Sequence, residues 1–385
     1  MKIAVVYGND GSDVRIAKTC ATLVTLGHDV HFVGWNRRPD VNKSSELPGT
    51  TRHVVDHAVP NLGSTWSGQR AFTRHAIKTL RQLRPDAVHA VNEDNILRIG
   101  WLKGWAFRKL TCDVFDSHID RQSHRSWPIR ASVFGLVQAT RWWCDQLIAT
   151  DDVRFETFGW ARRKTTVIGN YPSDPGPDLA FQFPTGSPKV FVSGTLARDR
   201  GVEQLLNAAK QVPDFRIIAA GWAADDYSAN VFLKDPIVEF LGHITPQQSL
   251  EVAASCDALL AMYAPTCRNH ILASPNKIYD ALSVGRPVIV NSEAKVSNWV
   301  NAHSAGHSNP YSDETALSAF LNSLIARRAT LNEYATRARE LFLQGYSWEA
   351  MESRLADIYG DARATTDSSH TVPFPTKTTT ARKAA

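Results

Sequence analysis

Two short stretches in the second half of the chain place cations where an anion could be held. In the first, Gly194-Thr-Leu-Ala-Arg-Asp-Arg-Gly201 follows an apolar strand run and precedes Leu205, Leu206 and Ala208. Arg198 and Arg200 there sit in a Gly-flanked loop between strand and helix. A guanidinium so placed can bind a diphosphate bidentately, and the helix start adds backbone N–H donors. In the second, Ser274-Pro-Asn-Lys-Ile-Tyr-Asp280 opens a run with Ile278, Ala281 and Leu282 at helical spacing, Gly285 ends it, and Val288-Ile289-Val290 reads as a buried strand. Ser274 is the expected N-cap and Pro275 the first helical residue. The helix start then aims free N–H groups at a crevice, with Lys277 one turn in to meet a phosphate and Asp280 a turn further to hold a sugar hydroxyl. Taken alone, the same residues make an ordinary capped helix with a solvated Lys277–Asp280 pair. If both loops end at one crevice, Arg200 and Lys277 form two cationic arms on one ligand.

The first half offers fewer groups. His118 closes a strand at Asp113-Val-Phe-Asp-Ser-His118, where α/β sheets place functional side chains, although a lone His is more often structural. The loop Gly8-Asn9-Asp10-Gly11-Ser12-Asp13 follows the first strand, so its backbone can approach a ligand closely, but it is not Gly-x-Gly-x-x-Gly. Glu93 and Asp94 come just after a strand ending at Val91 and could line a cleft; no neighbouring His or carboxylate has metal-ligand spacing, so no metal site is expected. The five cysteines are scattered, with no Cys-x-x-Cys pair, which favours a reducing compartment over a zinc site.

These residues need scaffolding, and the apolar pattern supplies it. Strands at 3–7, 30–33, 86–91, 114–116, 146–149 and 166–168 alternate with helices at 14–26, 71–83, 96–110 and 130–144; the stretch 36–64 reads as loop with one strand near Val54. Residues 171–188, rich in Pro and Gly, read as a linker. The alternation restarts with strands at 190–193, 215–220, 237–240 and 257–261 and helices at 201–210 and 246–255, then the 274–290 helix and strand, then helices at 313–326, 329–344 and 347–360. Two such halves predict two Rossmann-like, doubly wound domains facing a cleft, 1–170 and 189–346, with a disordered tail over 363–385. At 385 residues, 43% hydrophobic and 21% charged, the chain can bury two cores. No apolar run approaches the ~18 residues that span a bilayer, and the start reads as a strand rather than a signal peptide. A cytoplasmic protein is expected.

Ser274-Pro-Asn-Lys-Ile-Tyr-Asp-Ala-Leu, with Gly285-Arg-Pro-Val-Ile after it, closely resembles the donor-nucleotide segment of retaining, GT-B-fold glycosyltransferases of the family 4 type, in its Ser-Pro-x-Lys subgroup. Asp113–His118, Gly194–Gly201, Glu239-Phe-Leu-Gly-His243 and Tyr346-Ser-Trp-Glu349 resemble further segments of that family in the same order, so the likeness runs to about residue 360. It implies a C-terminal helix, 347–361, crossing back to the first domain. It implies a donor site of Gly194, Thr195, Arg198, Arg200, His243, Ser274, Pro275, Asn276, Lys277 and Asp280, with His243 at the base-contacting turn and Asp280 on the ribose. It implies an acceptor side of Asn9, Asp10, Gly11, Glu93 and His118, with His118, Arg200 and Lys277 carrying the chemistry. Transfer in the family is a same-face displacement in which the leaving diphosphate takes the acceptor proton, so the protein's part is to stabilise departing charge. Many members carry two glutamates eight positions apart; here the second falls on Asp280 and the first on Leu272, so the paired form is absent. GT-B transferases generally use no metal, and the chain has no Asp-x-Asp.

The implied partners are a UDP- or GDP-linked sugar and a glycan or lipid-linked acceptor, in polysaccharide or glycoconjugate synthesis. Residues 1–170 hold 24 Lys+Arg against 16 Asp+Glu, the rest 19 against 22, and eight of the eleven tryptophans lie in that basic part. Trp interleaved with Lys and Arg over 101–109 and 125–143 suits an anionic membrane surface; no nucleic-acid-binding signature accompanies it. Two rivals stay open: a non-catalytic GT-B subunit that binds or activates a partner, and a sugar-nucleotide epimerase of the same fold. Consumption of nucleotide sugar, and whether it needs an acceptor, separates them.

Overall fold

A computed structural model describes residues 1–39, 46–59, 65–115, 117–122 and 125–360. The tail 363–385, residue 361 of the expected crossing helix and Asp116 of the expected strand end lie outside the described residues.

The first sheet has seven parallel strands, β1 (Lys2–Val6), β2 (Asp29–Asn36), β3 (Thr50–Asp56), β4 (Ala87–Val91), β5 (Lys109–Val114), β6 (Gln146–Ala149) and β7 (Thr165–Val167), in the order β3-β2-β1-β4-β5-β6-β7. The second has six, β8 (Lys189–Leu196), β9 (Arg216–Ala223), β10 (Val238–Phe240), β11 (Ala258–Leu260), β12 (Val288–Asn291) and β13 (Gly306–Asn309), in the order β10-β9-β8-β11-β12-β13. Both are doubly wound, as the apolar strands separated by amphipathic helices require.

Strand alternation assigns the faces. Ile3, Val5 and Phe32 pack with Ile16 and Leu23 of the Val14–Thr25 helix, while Ala4, Val6 and Trp35 pack with Phe72, Ala76 and Leu80 of the Trp66–Leu83 helix. In the second sheet Phe191, Val288 and Val290 meet Ile278 and Leu282, and Val190, Val192 and Ile289 meet Leu205, Leu317 and Leu321. Each fully buried Leu or Ile contributes roughly 1.5–3 kcal/mol relative to exposure. The last helix, Trp348–Tyr359, lies on the first sheet's side: Trp348 Nε1 donates to Thr22 Oγ1 at 3.0 Å, Arg354 donates to the Val167 carbonyl at 2.6 Å, and Tyr359 Oη lies 2.8 Å from His89 Nδ1.

Several elements differ from expectation. The helix expected over 96–110 is two pieces: Glu93–Ile99 continues as a 3₁₀ turn to Leu102, Gly104 (φ 87°) reverses the chain with its N–H on the Phe107 carbonyl, and Lys109 and Leu110 belong to β5. Parallel pairing of Lys109 and Leu110 with Ala87 and Val88 outweighs their helical spacing. The Trp66–Leu83 helix starts five residues earlier than the spacing indicated, capped by Thr65 Oγ1 on the Gly68 N–H. The Val296–Ala302 helix and β13 were not expected, because Gly306-His-Ser-Asn309 is a polar edge strand with no apolar run. A short helix, Pro177–Ala180, breaks the expected linker.

Candidate functional site

The Asn276–Ser283 helix begins at the carboxyl side of the second sheet, but Ser274 does not cap it. Pro275 holds the N-cap position in extended conformation (φ −63°, ψ 137°), and the Ser274 hydroxyl lies 2.9 Å from Tyr279 Oη. Proline has no N–H to satisfy and its fixed φ suits the cap, which leaves Ser274 to brace the helix from the side. The first-turn N–H groups therefore have no side-chain cap. Lys277 Nζ sits 2.9 Å from Asp280 Oδ2, both partly exposed. The helix stops at Gly285 (φ 66°), whose added Cβ would stand 2.7 Å from both the Ala180 carbonyl and Ala335 Cβ. Arg286, fully buried, anchors the turn to the linker: its guanidinium donates to the carbonyls of Cys256, Val284, Gly285, Ala254 and Gln182. Burial pulls its pKa down to about 10.

A cavity of about 630 Å³ opens beside this helix start. Asn276, Lys277 and Asp280 line it from the helix start, Ser193, Gly194, Gly221 and Trp222 from the ends of β8 and β9, His243 and Thr245 from the turn after β10, and Val14, Lys18, Asn170 and Pro172 from the first half and linker. Gly194 and Gly221 pair across β8 and β9, and a Cβ on Gly221 would stand 2.0 Å from the Gly194 carbonyl oxygen, so only glycine lets the strand ends close here. Ser193 Oγ is buried without a hydrogen-bond partner. Trp222 and His243 stack with centroids 5.9 Å apart and planes 16° from parallel, a flat platform at the rim. Lys18 Nζ donates to the Tyr171 carbonyl at 2.6 Å and sits 4.6 Å from the Trp348 ring centroid. Burial, with Arg15 adding repulsion, brings the Lys18 pKa down to about 8.

A second, more polar cavity of about 350 Å³ adjoins it and shares Asn170 and Asn276. Arg200, Tyr263, Asn269 and Ser274 come from the second half; Asp13, Arg15, Asp151 and Arg154 come from the first. Arg200 lies over the Tyr263 ring at 4.2 Å, and its Nε is buried without a hydrogen-bond partner. Arg15 is held bidentately by buried Asp113 at 2.8 and 3.0 Å. Arg154 spans the halves, donating to the Phe115 carbonyl at 2.6 Å and to Asn269 Oδ1 at 3.2 Å. Burial raises the carboxyls of Asp13 and Asp151 above the usual range. Arg200 and Lys277 thus line two joined chambers rather than a single crevice.

Other sequence-derived candidates fall elsewhere. Arg198 lies over Tyr227 at 4.4 Å and 3.4 Å from Glu203, lining neither cavity. Thr195 is a β8 residue, because the strand runs on to Leu196 instead of ending at 193. Asn9, Asp10 and Gly11 turn inward: Asn9 Oδ1 accepts from Gly11, Asp10 Oδ1 accepts from Ser12, and the Asp10 carbonyl accepts from Arg52 at 2.7 Å. Glu93 is buried and accepts from the Ser117 hydroxyl at 3.3 Å and the His118 N–H at 3.2 Å, so it shapes the 117–118 turn rather than facing a ligand. Burial raises its carboxyl above the usual range. His118 Nε2 lies 3.6 Å from Asp94 Oδ1, and His118 lines neither cavity. Burial opposes ionisation of Asp94, yet its His118 and Arg98 contacts outweigh that and bring it to about 2. Among the described residues no group of three or more His, Cys, Asp or Glu could hold a metal ion.

Residues 198–358 match the family described as Glycosyl transferase-like. Among curated proteins nothing matches the chain. Of solved structures, sucrose-phosphate synthase from Thermosynechococcus elongatus superposes with a TM-score of 0.73 at 15% identity, over 95% of this chain and 100% of that one. Anabaena HepE in complex with UDP and glucose gives 0.67 at 15%, over 93% and 99%. WaaG, a glycosyltransferase involved in lipopolysaccharide biosynthesis, gives 0.64 at 15%, over 93% and 100%. The class so defined is the GT-B fold, and the segment that matches the Glycosyl transferase-like family lies in the second half of the chain.

Proposed function

We propose that the protein transfers a sugar from a nucleoside-diphosphate sugar to a glycan or lipid-linked acceptor presented at a membrane face. The observation that carries this reading is the pair of joined chambers, with the Asn276 helix start at their junction. The larger chamber has the parts a nucleotide needs: a flat Trp222–His243 platform for a base, Asp280 for ribose hydroxyls, and uncapped N–H groups with Lys277 for phosphates. The smaller chamber, polar and shared between the halves, suits the transferred sugar and the acceptor. Arg200 lines it, where charge grows on the leaving diphosphate; its Nε makes no hydrogen bond and only a 3.5 Å ion pair with Asp199, so the guanidinium can turn to the phosphate. In a same-face displacement the donor C1–O bond breaks as the acceptor oxygen attacks, and the leaving phosphate oxygen takes the acceptor proton. The reaction as proposed uses no metal. HepE crystallised with UDP, which makes UDP the first nucleotide to try.

Thermal shift against UDP, GDP and their sugars, with EDTA present, is the test. A rise in midpoint with one diphosphate is expected from mass action. Lys277→Ala and Arg200→Ala should each weaken affinity about tenfold or more, since a charge-assisted hydrogen bond contributes roughly 1.5–3 kcal/mol. Absence of a shift with any nucleotide sinks the transferase reading and brings forward the non-catalytic subunit. Acceptor-independent consumption of the donor favours the epimerase.

A further inference from the structure

The first sheet's outer helical layer is built for a surface rather than for water. The Trp66–Leu83 helix carries Trp66, Arg70, Arg74, Lys78 and Arg81 on one exposed stripe, and it contains no acidic residue. Arg81 lies over the Trp105 ring at 4.8 Å, which joins the stripe to the turn after the Glu93–Ile99 helix, where Trp101 and Trp105 are exposed. Lys103 Nζ donates to the Trp143 carbonyl at 2.9 Å and carries the layer on to the Trp127–Trp143 helix.

That last helix is the unusual one. Residues 131–140 hold no charged side chain, and the helix has no acid at all. Its first half is not covered by the rest of the chain: Trp127 (77% exposed) and Phe134 (54%) project on one side, Ile129 and Leu136 on the other. Only Val137, Thr140 and Arg141 are buried along it. A helix whose first half presents large apolar side chains to solvent on opposite sides leaves a large unsatisfied apolar surface. At 17 residues it is not a spanning segment, and no described helix is long and apolar enough to cross a membrane. Acids within the layer are neutralised: Asp94 pairs with Arg98 at 2.6 Å and Asp145 with Lys103 at 2.6 Å.

We propose that this layer docks on an anionic lipid bilayer. The Trp127–Leu136 turns enter the headgroup–acyl boundary, while Arg70, Arg74, Lys78, Arg81 and Arg130 meet anionic headgroups. The commitment to lipid rests on charge complementarity together with the Trp-rich rim, since tryptophan and arginine are the residues that rest at a headgroup layer. It stands apart from the transfer reaction and would hold for a non-catalytic chain as well.

Flotation of the full chain with phosphatidylcholine vesicles, with and without 30% phosphatidylglycerol, tests it. The expected result is binding to the anionic vesicles, at least tenfold weaker on neutral ones and falling with added salt. The double variant Trp127→Ser/Phe134→Ser and the triple variant Arg70→Glu/Arg74→Glu/Lys78→Glu should each lose at least tenfold in binding. No binding by the wild type, equal binding to neutral vesicles, or full binding by both variants overturns the proposal. So does a stable dimer, seen by light scattering, that the apolar variant dissociates with no change in vesicle binding. Should the apolar variant fail to fold, the charge-reversed triple, confined to exposed side chains, decides the question. The nucleotide shift is read separately on the same samples, so failure of one reading leaves the other intact.

Discussion

Lys18 is the side chain whose titration should report on the site. It reaches the larger chamber from the first half, and burial has lowered its pKa to about 8 from the ordinary 10.5. A lowered lysine penalises the folded state while it is charged. Stability should therefore rise as pH climbs from about 8 towards 10.5, where the unfolded chain keeps the proton and the folded chain has lost it. Nucleotide affinity should move the other way, since a cation lining the nucleotide chamber loses its charge. Melting midpoints and UDP affinity measured from pH 7 to 9.5 check both trends, and Lys18→Met should flatten both. Glu93→Gln makes a second prediction. Replacing one of the two carboxylate oxygens, which accept from the Ser117 hydroxyl and the His118 N–H, by an amide NH2 should cost about 1–3 kcal/mol of stability while leaving UDP binding nearly unchanged, as thermal unfolding with and without UDP will show. Lys277, Asp280 and Arg200 could be found in the sequence because each sits beside a local strand–helix junction. Lys18, Arg154 and Asp151 could not, since they reach the chambers from the other half of the chain and nothing in their own neighbourhood marks them. The family resemblance implies Asn9, Asp10 and Gly11 on the acceptor side, but hydrogen bonds within the loop and from Arg52 to the Asp10 carbonyl hold it inward.

At the level of elements, the tight points are glycines whose neighbours leave no room. Gly285→Ala forces a left-handed φ on a side chain that would also press on the Ala180 carbonyl and Ala335. Lost φ freedom and overpacking together should destabilise by about 2–4 kcal/mol, measured by urea unfolding, and should loosen the adjoining site helix. The apolar strands and the helix at 276–283 were legible because periodicity and the Gly285 stop coincide. The break at 100–108 was not, since Leu102, Ala106 and Leu110 keep helical spacing while the choice between helix and strand is made by pairing with β4. Nor was β13, whose polar residues satisfy an edge and leave no apolar signal.

Across the whole molecule, the two halves touch through few groups near the site. Arg268 Nε meets buried Asp120 at 2.9 Å, and Arg154 meets Asn269. Tyr171 of the linker, Tyr279 of the site helix and Tyr346 before the last helix pack together with centroids 4.3 to 5.7 Å apart. Closure of the halves on substrate would strain or relieve these contacts. Arg268→Ala should weaken donor binding a few-fold with a small loss of stability, because the arginine is largely exposed; calorimetric titration with UDP checks this. The doubly wound build of both halves was readable from the alternation, whereas the strand order and the contacts between halves are tertiary and carry no periodic signature.

The Trp348–Tyr359 helix completes the core of a sheet whose strands end at residue 167. On the ribosome, the early half emerges first but lacks the Trp348, Met351, Leu355 and Tyr359 side chains that cover Ile3, Ile16 and Leu23. Its final consolidation must wait until nearly 200 further residues have been translated. During that interval the nascent chain carries an uncovered apolar seam, a natural target for chaperone holding.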